Sequence, residues 1–234
     1  MDKGKRYVIG DIHGCIVTLR KLVEEKIGLA KEDTLFLLGD YIDRGPDSKA
    51  VVDYIMDLKD KSFRVVPLVG NHEYMLLQSL DDSEYFDQWM GNGNATTLRS
   101  FGIPEEMITE WISVRQIPGT YIRFFRELAF YAETDGFFIV HAGLGNETGN
   151  PLEDAETLLW SRAEKYNKKI LKNRRLIHGH TPISLESIKD RIYDPDEKFI
   201  NLDGGCVYKQ VKNLGNLVGL ELETMTVFVQ GNID

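Results

Sequence analysis

Five histidines, His13, His72, His141, His178 and His180, each follow an apolar, strand-like run and sit in a glycine-containing turn. One histidine in such a place reads as a hydrogen-bonded structural residue; five point to a common site. Asp11 and His13 flank a single residue, so in an extended or turned backbone both side chains can reach one point. Asp40 ends the next strand-like run, and a carboxylate can bridge two cations. Asn71 offers a neutral carbonyl oxygen, and His141 and His180 offer imidazole nitrogens. Mixed oxygen and nitrogen donors suit manganese, iron or zinc, not calcium or a thiolate-bound metal. Two such ions ~3.5–4 Å apart would polarise a phosphoryl group and lower the pKa of a bridging water. The competing explanation makes Asp11 and Asp40 helix N-caps, because each precedes a helical pattern.

Other residues divide the remaining work. His72 follows Asn71 directly, and neighbouring side chains point apart, so His72 is better placed as a general acid for the leaving oxygen. Asp43 lies one turn past Asp40 and can fix the tautomer of His72 and raise its pKa. Arg44, and Arg162 in Leu158-Leu159-Trp160-Ser161-Arg162, offer planar forks for phosphoryl oxygens.

The elements that must position these residues can be read from hydrophobic spacing. Arg6–Gly10, Thr34–Leu38 and Phe63–Val69 read as strands, and each ends at one of the blocks Gly10-Asp11-Ile12-His13-Gly14, Gly39-Asp40-Tyr41-Ile42-Asp43-Arg44-Gly45 and Gly70-Asn71-His72-Glu73. Cys15–Ile27 and Lys49–Lys59 read as helices with one apolar face, and His72–Leu80 as a third. The alternation predicts a largely parallel sheet with right-handed crossovers. Sites in such sheets lie beyond the carboxyl ends of the strands. The blocks, roughly 30 residues apart, or one βα unit each, therefore converge. Residues 81–134 read as a mostly helical, aromatic-rich insertion beside the site. Strands follow at Gly136–Val140, Leu176-Ile177 and Phe199–Leu202, with a helix over Pro151–Lys172 and two alternating strands across Leu217–Val229.

The blocks GDIHG, GDYIDRG, GNHE, HAG and HGHT, in this order from Gly10 to Thr181, resemble the phosphoprotein phosphatase family of metallophosphoesterases, most closely its small bacterial and phage branch. Trp89-Met90-Gly91-Asn92-Gly93 and Trp160-Ser161-Arg162 strengthen the likeness. The resemblance implies an α/β fold with a central β-sandwich of mixed sheets flanked by helices, a four-layer α/β/β/α arrangement. It implies one metal on Asp11, His13 and Asp40, and a second on Asp40, Asn71, His141 and His180. It pairs His72 with Asp43 as acid, gives phosphate to Arg44 and Arg162, and favours manganese. His178 is outside that ligand pattern and is assigned a supporting place behind it. The Ser-Ala-Pro-Asn-Tyr segment of eukaryotic members is absent, so their regulatory contacts do not transfer. The branch contains serine/threonine protein phosphatases and symmetrical diadenosine tetraphosphate hydrolases. The first is the expected activity. The second, or an RNA 5′-end pyrophosphohydrolase, would need an aromatic or basic shelf, for which Tyr85, Phe86, Trp89, Trp111 and Arg115 are the candidates. A non-catalytic scaffold is disfavoured because no ligand or acid position is lost.

Composition sets the boundaries. The 234 residues, 42% hydrophobic and 28% charged, are enough for an ordinary globular core in one domain. A net charge of −9 disfavours general nucleic-acid binding, so an anionic substrate must be drawn by local positive charge. No run reaches about 18 apolar residues, so no membrane span is expected. The amino-terminal residues lack a signal-peptide core, and two cysteines make no disulfide framework, which suits a reducing cytoplasm.

Overall fold

The computed structural model describes residues 4–144, 152–162 and 168–234. Two sheets face each other. The first has the order β3-β2-β1-β8-β9 and the second β4-β5-β6-β7. In the first, β1 (Arg6–Ile9), β2 (Thr34–Leu37) and β3 (Arg64–Pro67) run parallel, and β8 (Asn216–Glu221) and β9 (Thr226–Gly231) close it antiparallel. In the second, β5 (Phe137–Val140), β6 (Arg175–His178) and β7 (Phe199–Asn201) are parallel, with β4 (Tyr131–Thr134) antiparallel at the edge.

The inner strands β1, β2, β5 and β6 are largely apolar because both faces of each sheet are covered there. Tyr7 and Ile9 of β1, and Leu35 and Leu37 of β2, face the helices outside the first sheet. Val8, Phe36 and Leu38 face inward and meet Ile139, Ile177 and Ile200 of the second sheet. Phe138, Val140, Leu176 and Phe199 take the opposite outer face, with Leu158 and Leu171. Alternation along each strand thus fills three apolar layers, giving the expected four-layer sandwich.

On the first sheet lie α1 (Ile16–Arg20), α2 (Ser48–Asp60) and α3 (Asn71–Ser79). The helix expected over Cys15–Ile27 changes character midway. Lys21–Ile27 is wound as a π-helix ending at left-handed Gly28. The insertion contains α4 (Ser83–Gly91), α5 (Ala95–Ser100) and α6 (Gly119–Arg126), with 3₁₀ turns at Glu105–Met107 and Trp111–Gln116. Its last residues depart from expectation: Tyr131–Thr134 is the edge strand β4, half-exposed and without an apolar alternation to announce it. Of the helix expected over Pro151–Lys172, Pro151 and residues 163–167 lie outside the described residues. The remainder forms α7 (Ala155–Trp160) and α8 (Lys168–Leu171), with Ser161 extended between them. The further helix α9 (Leu185–Tyr193) starts on a Ser184 cap. Among the described residues, no helix is long and apolar enough to cross a membrane.

Candidate metal centre

The turns after β1, β2, β3, β5 and β6 bring Asp11, His13, Asp40, Asn71, His72, His141 and His180 together, all but His180 buried. Neither Asp11 nor Asp40 is a helix cap: Cys15 occupies that position for α1 and Asp47 for α2, so the capping alternative fails. Asp40 is central. Its Oδ2 lies 3.6 Å from His13 Nε2 and 3.9 Å from His72 Nε2; its Oδ1 lies 3.5 Å from His141 Nε2. Two edge-to-face imidazole pairs flank it, His13–His72 at 4.8 Å and His141–His180 at 5.2 Å between ring centres. Asn71 Oδ1 sits 3.0 Å from His141 Nε2 and 3.1 Å from His180 Nδ1.

Backbone contacts fix the rings. His13 Nδ1 meets the Ile42 carbonyl at 2.8 Å, and His141 Nδ1 meets that of Leu38 at 2.9 Å. With Nδ1 so engaged, Nε2 is turned to the site. Asp11 Oδ2 accepts from the His180 amide at 2.9 Å. Non-glycine residues in the left-handed region include His13, Asp40, Asp43, Arg44 and His180. Such turns aim successive side chains inward at a cost of about 1–2 kcal/mol each. Gly179 is required by proximity: a Cβ there would stand 2.1 Å from Asp11 Oδ1.

The electrostatics suit cations. Burial lowers His13 and His180 to about 3, and it lowers His141 as well. All three rings are therefore neutral at pH 7, the form that ligates metal. Burial alone would raise Asp40, but the surrounding imidazoles, His141 first, hold it well below the usual carboxylate range. Asp11 is pushed well above that range by burial and by the charges of Asp203 and Asp40. Asp11 Oδ1 and His180 Nε2 are buried without hydrogen-bond partners. Clustered carboxylates, neutral imidazoles and orphaned donor atoms are the environment that a pair of divalent cations would complete.

His72 differs from the other rings. Its Nδ1 is 2.5 Å from Asp43 Oδ2, and its Nε2 is buried and unpartnered. Burial opposes its protonation, but Asp40 and the hydrogen bond to Asp43 outweigh it and raise the pKa. Arg44 places Nη1 2.7 Å from His13 Nε2. Arg162 is exposed beyond α7, and its charge is among those lowering His180. His178 stands apart, with Nδ1 3.2 Å from the Gly179 carbonyl, and burial lowers it to about 4. The candidates for an aromatic shelf are dispersed: half-buried Tyr85 lines a groove with Tyr74 and Trp160. Phe86 and Trp89 are core residues, and the Trp111 indole donates to the Ser79 carbonyl at the far end of α3 with Arg115 over its ring.

Sequence reasoning gave no role to Glu73 or Asp203. Buried Glu73 accepts from the amides of Asp40, Gly70, Tyr41 and Ile42 at 2.8–3.2 Å, tying the second block to the third. Asp203 is buried after β7 and accepts from the Gly205 amide at 2.8 Å. For Asp203 the only sequence signal was an acid beside a glycine pair at a strand end, and Glu73 carried none beyond its place in the third block.

The profile of the calcineurin-like phosphoesterases matches residues 4–205. The chain belongs to that family. The resemblance read from the five blocks is thereby borne out, and the family uses divalent metals. Among curated relatives, a zinc-dependent endopolyphosphatase of Saccharomyces cerevisiae is 36% identical over 131 residues, 55% of this chain and 38% of that protein. A symmetrical bis(5′-nucleosyl)-tetraphosphatase of Buchnera aphidicola is 38% identical over 98 residues, 39% of this chain and 35% of that protein. The matched stretches thus span under two-fifths of these relatives. Of solved structures, one assigned as a diadenosine tetraphosphatase superposes with a TM-score of 0.66 at 19% identity, covering 99% of this chain and 95% of the other. A Saccharomyces cerevisiae protein serine/threonine phosphatase similar to human phosphatase PP5 gives 0.64 at 14%, covering 97% and 79%. At these identities the likeness is one of fold.

Proposed function

We propose that this chain is a metal-dependent phosphoesterase acting on phosphate monoesters, serine and threonine phosphates in proteins first among them. The observation that carries the reading is Asp40, whose two oxygens face separate groups of imidazoles. In this reading Asp11, His13 and Asp40 hold one divalent cation, and Asp40, Asn71, His141 and His180 a second. Manganese, iron and zinc all suit the donor set. When bound, such a pair supplies Lewis acidity to phosphoryl oxygens and lowers the pKa of a bound water.

The chain's own residues do the rest. Arg44 and Arg162 hold phosphoryl oxygens with their planar forks. Arg44 Nη1 lies 2.7 Å from His13 Nε2, so its guanidinium stands beside the proposed ligand set, where it would meet a phosphoryl oxygen. His72 presents Nε2 to the leaving oxygen and donates its proton there, while Asp43 holds Nδ1. Residues 1–234 act as one metallophosphoesterase domain with the 81–134 insertion beside the site. The two free cysteines fit the cytoplasm.

A second reading, symmetrical dinucleoside tetraphosphate hydrolysis, is favoured by the relative named for that activity and by Tyr208, whose ring lies 5.8 Å from the Arg44 guanidinium. Manganese-loaded protein is tested on a phosphoserine peptide, diadenosine tetraphosphate and p-nitrophenyl phosphate. The peptide is expected to have the highest kcat/KM; the tetraphosphate leading would favour the second reading. Asp40→Asn is expected to abolish turnover and lose at least one bound manganese by calorimetry. Two retained ions with intact turnover would refute the centre.

A further inference from the structure

Asp43 is held by more than His72. The Trp89 indole N–H donates to Oδ2 at 2.6 Å, the oxygen that also meets His72 Nδ1. The Thr97 hydroxyl donates to Oδ1 at 2.6 Å. The Asp43 amide donates to Thr97 Oγ1 at 2.8 Å and to Ser48 Oγ at 2.9 Å, and those two hydroxyls are 2.8 Å apart. The donor pattern is consistent: Thr97 gives its one proton to the carboxylate and accepts from Ser48. The next residue is held too, since the Arg44 amide donates to the Gly93 carbonyl at 3.2 Å. Asp43, Ser48, Trp89 and Thr97 are all fully buried.

Trp89 lies on α4, Thr97 on α5, and Gly93 in the turn between them. One corner of the insertion therefore wraps a two-residue turn in which Asp43 (φ 73) and Arg44 (φ 67) are both left-handed. Two consecutive strained residues persist only where the surroundings over-determine them. Packing explains why Trp89 is buried; it does not explain why its N–H and the Thr97 hydroxyl both end on one carboxylate. With donors on both oxygens the carboxylate plane cannot turn. With His72 alone, the two side chains could swivel as a unit.

We propose that Trp89 and Thr97 are positioning residues for the proton donor His72, and that the α4–α5 corner serves the site by holding the Asp43 carboxylate. The inference rests on the reading of His72 as the general acid. A misplaced acid matters where the leaving oxygen needs a proton and matters little where it departs as a stable anion. General-acid catalysis contributes ~10²–10⁴-fold, and loss of one of three orienting bonds should remove part of it.

The test compares phenyl phosphate with p-nitrophenyl phosphate, which share the phosphoryl group and differ in how much the leaving oxygen needs the proton. Trp89→Phe and Thr97→Val are each expected to lower kcat for phenyl phosphate roughly ten- to thirtyfold. For p-nitrophenyl phosphate the fall should stay below about threefold, with KM and manganese affinity unchanged. Thr97→Ser, which restores the hydroxyl, should recover the phenyl phosphate rate. Equal losses on both substrates, or no loss, in the folded variants would overturn the inference; if Trp89→Phe does not fold, the Thr97 pair decides alone. His72→Asn on the same two substrates separates the premises. If it lowers phenyl phosphate turnover selectively and the positioning variants do not, only the inference fails. If it lowers both equally, the acid assignment fails and the inference with it.

Discussion

Glu73→Gln tests how the second and third blocks are joined. Glu73 Oε1 accepts from the Tyr41 and Ile42 amides, and Oε2 from those of Asp40 and Gly70. Whichever way the replacement amide turns, its NH₂ faces two of these donors. Each buried donor left unsatisfied costs about 1–3 kcal/mol, so the pair costs roughly 2–6 kcal/mol. A chain of this size loses about 2–4 °C of Tm per kcal/mol, so the midpoint should fall by roughly 8–16 °C at a loss near 4 kcal/mol. Thermal unfolding by circular dichroism at pH 9, where the carboxylate form is present, in chelator removes any contribution from bound metal. A competing force sharpens the test. Burial and the Asp40 charge push the Glu73 pKa up, to about 8. A protonated acid would carry its own hydroxyl proton among these donors, and glutamine would then replace it at little loss. A shift under about 2 °C, less than 1 kcal/mol, would mean that Glu73 is neutral and that the four-donor carboxylate does not hold the loops.

Two further predictions concern the metal-free protein and the first cation. His13 has a folded pKa of about 3 against an ordinary 6.5. The unfolded chain therefore binds a proton that the folded chain refuses; the contribution is complete above pH 6.5 and is lost as pH falls toward 3. By pH 5 it has lost about 2 kcal/mol, which urea unfolding from pH 7 to 5 measures; His13→Asn should flatten the slope, and an unchanged slope would contradict the buried neutral ring. Gly179→Ala should displace Asp11 Oδ1, which lies 2.1 Å from the added Cβ, and weaken manganese binding at least tenfold by calorimetry. Native affinity in that variant would remove Asp11 from the ligand set.

What could be read without the structure followed from burial. β1 and β2 are continuous apolar runs because both faces are covered, and the blocks at their ends converge because parallel strands deliver their carboxyl ends to one edge. The alternation suggested one largely parallel sheet, and only the resemblance supplied the sandwich of mixed sheets. The missed features lack side-chain periodicity. β4 is a half-exposed edge strand containing Glu133 and Thr134. The break at Ser161 and the π-helical turns after Arg20 fall at no glycine or proline that would announce them. The role of Glu73 was illegible because it acts on backbone amides, which every residue has. Trp89 was legible as a large apolar side chain, and its one polar atom carries the contact that matters.

The left-handed backbone at His13, Asp40, Asp43, Arg44 and His180 has an evolutionary consequence. Glycine at any of these positions would relieve roughly 1 kcal/mol of strain, and it would also erase the side chain for which the turn exists. Selection for a sturdier protein and selection for turnover pull in opposite directions there. A directed search for thermostable variants should therefore gather glycines in the very turns that hold the candidate metal centre, unless the proposed activity is screened alongside.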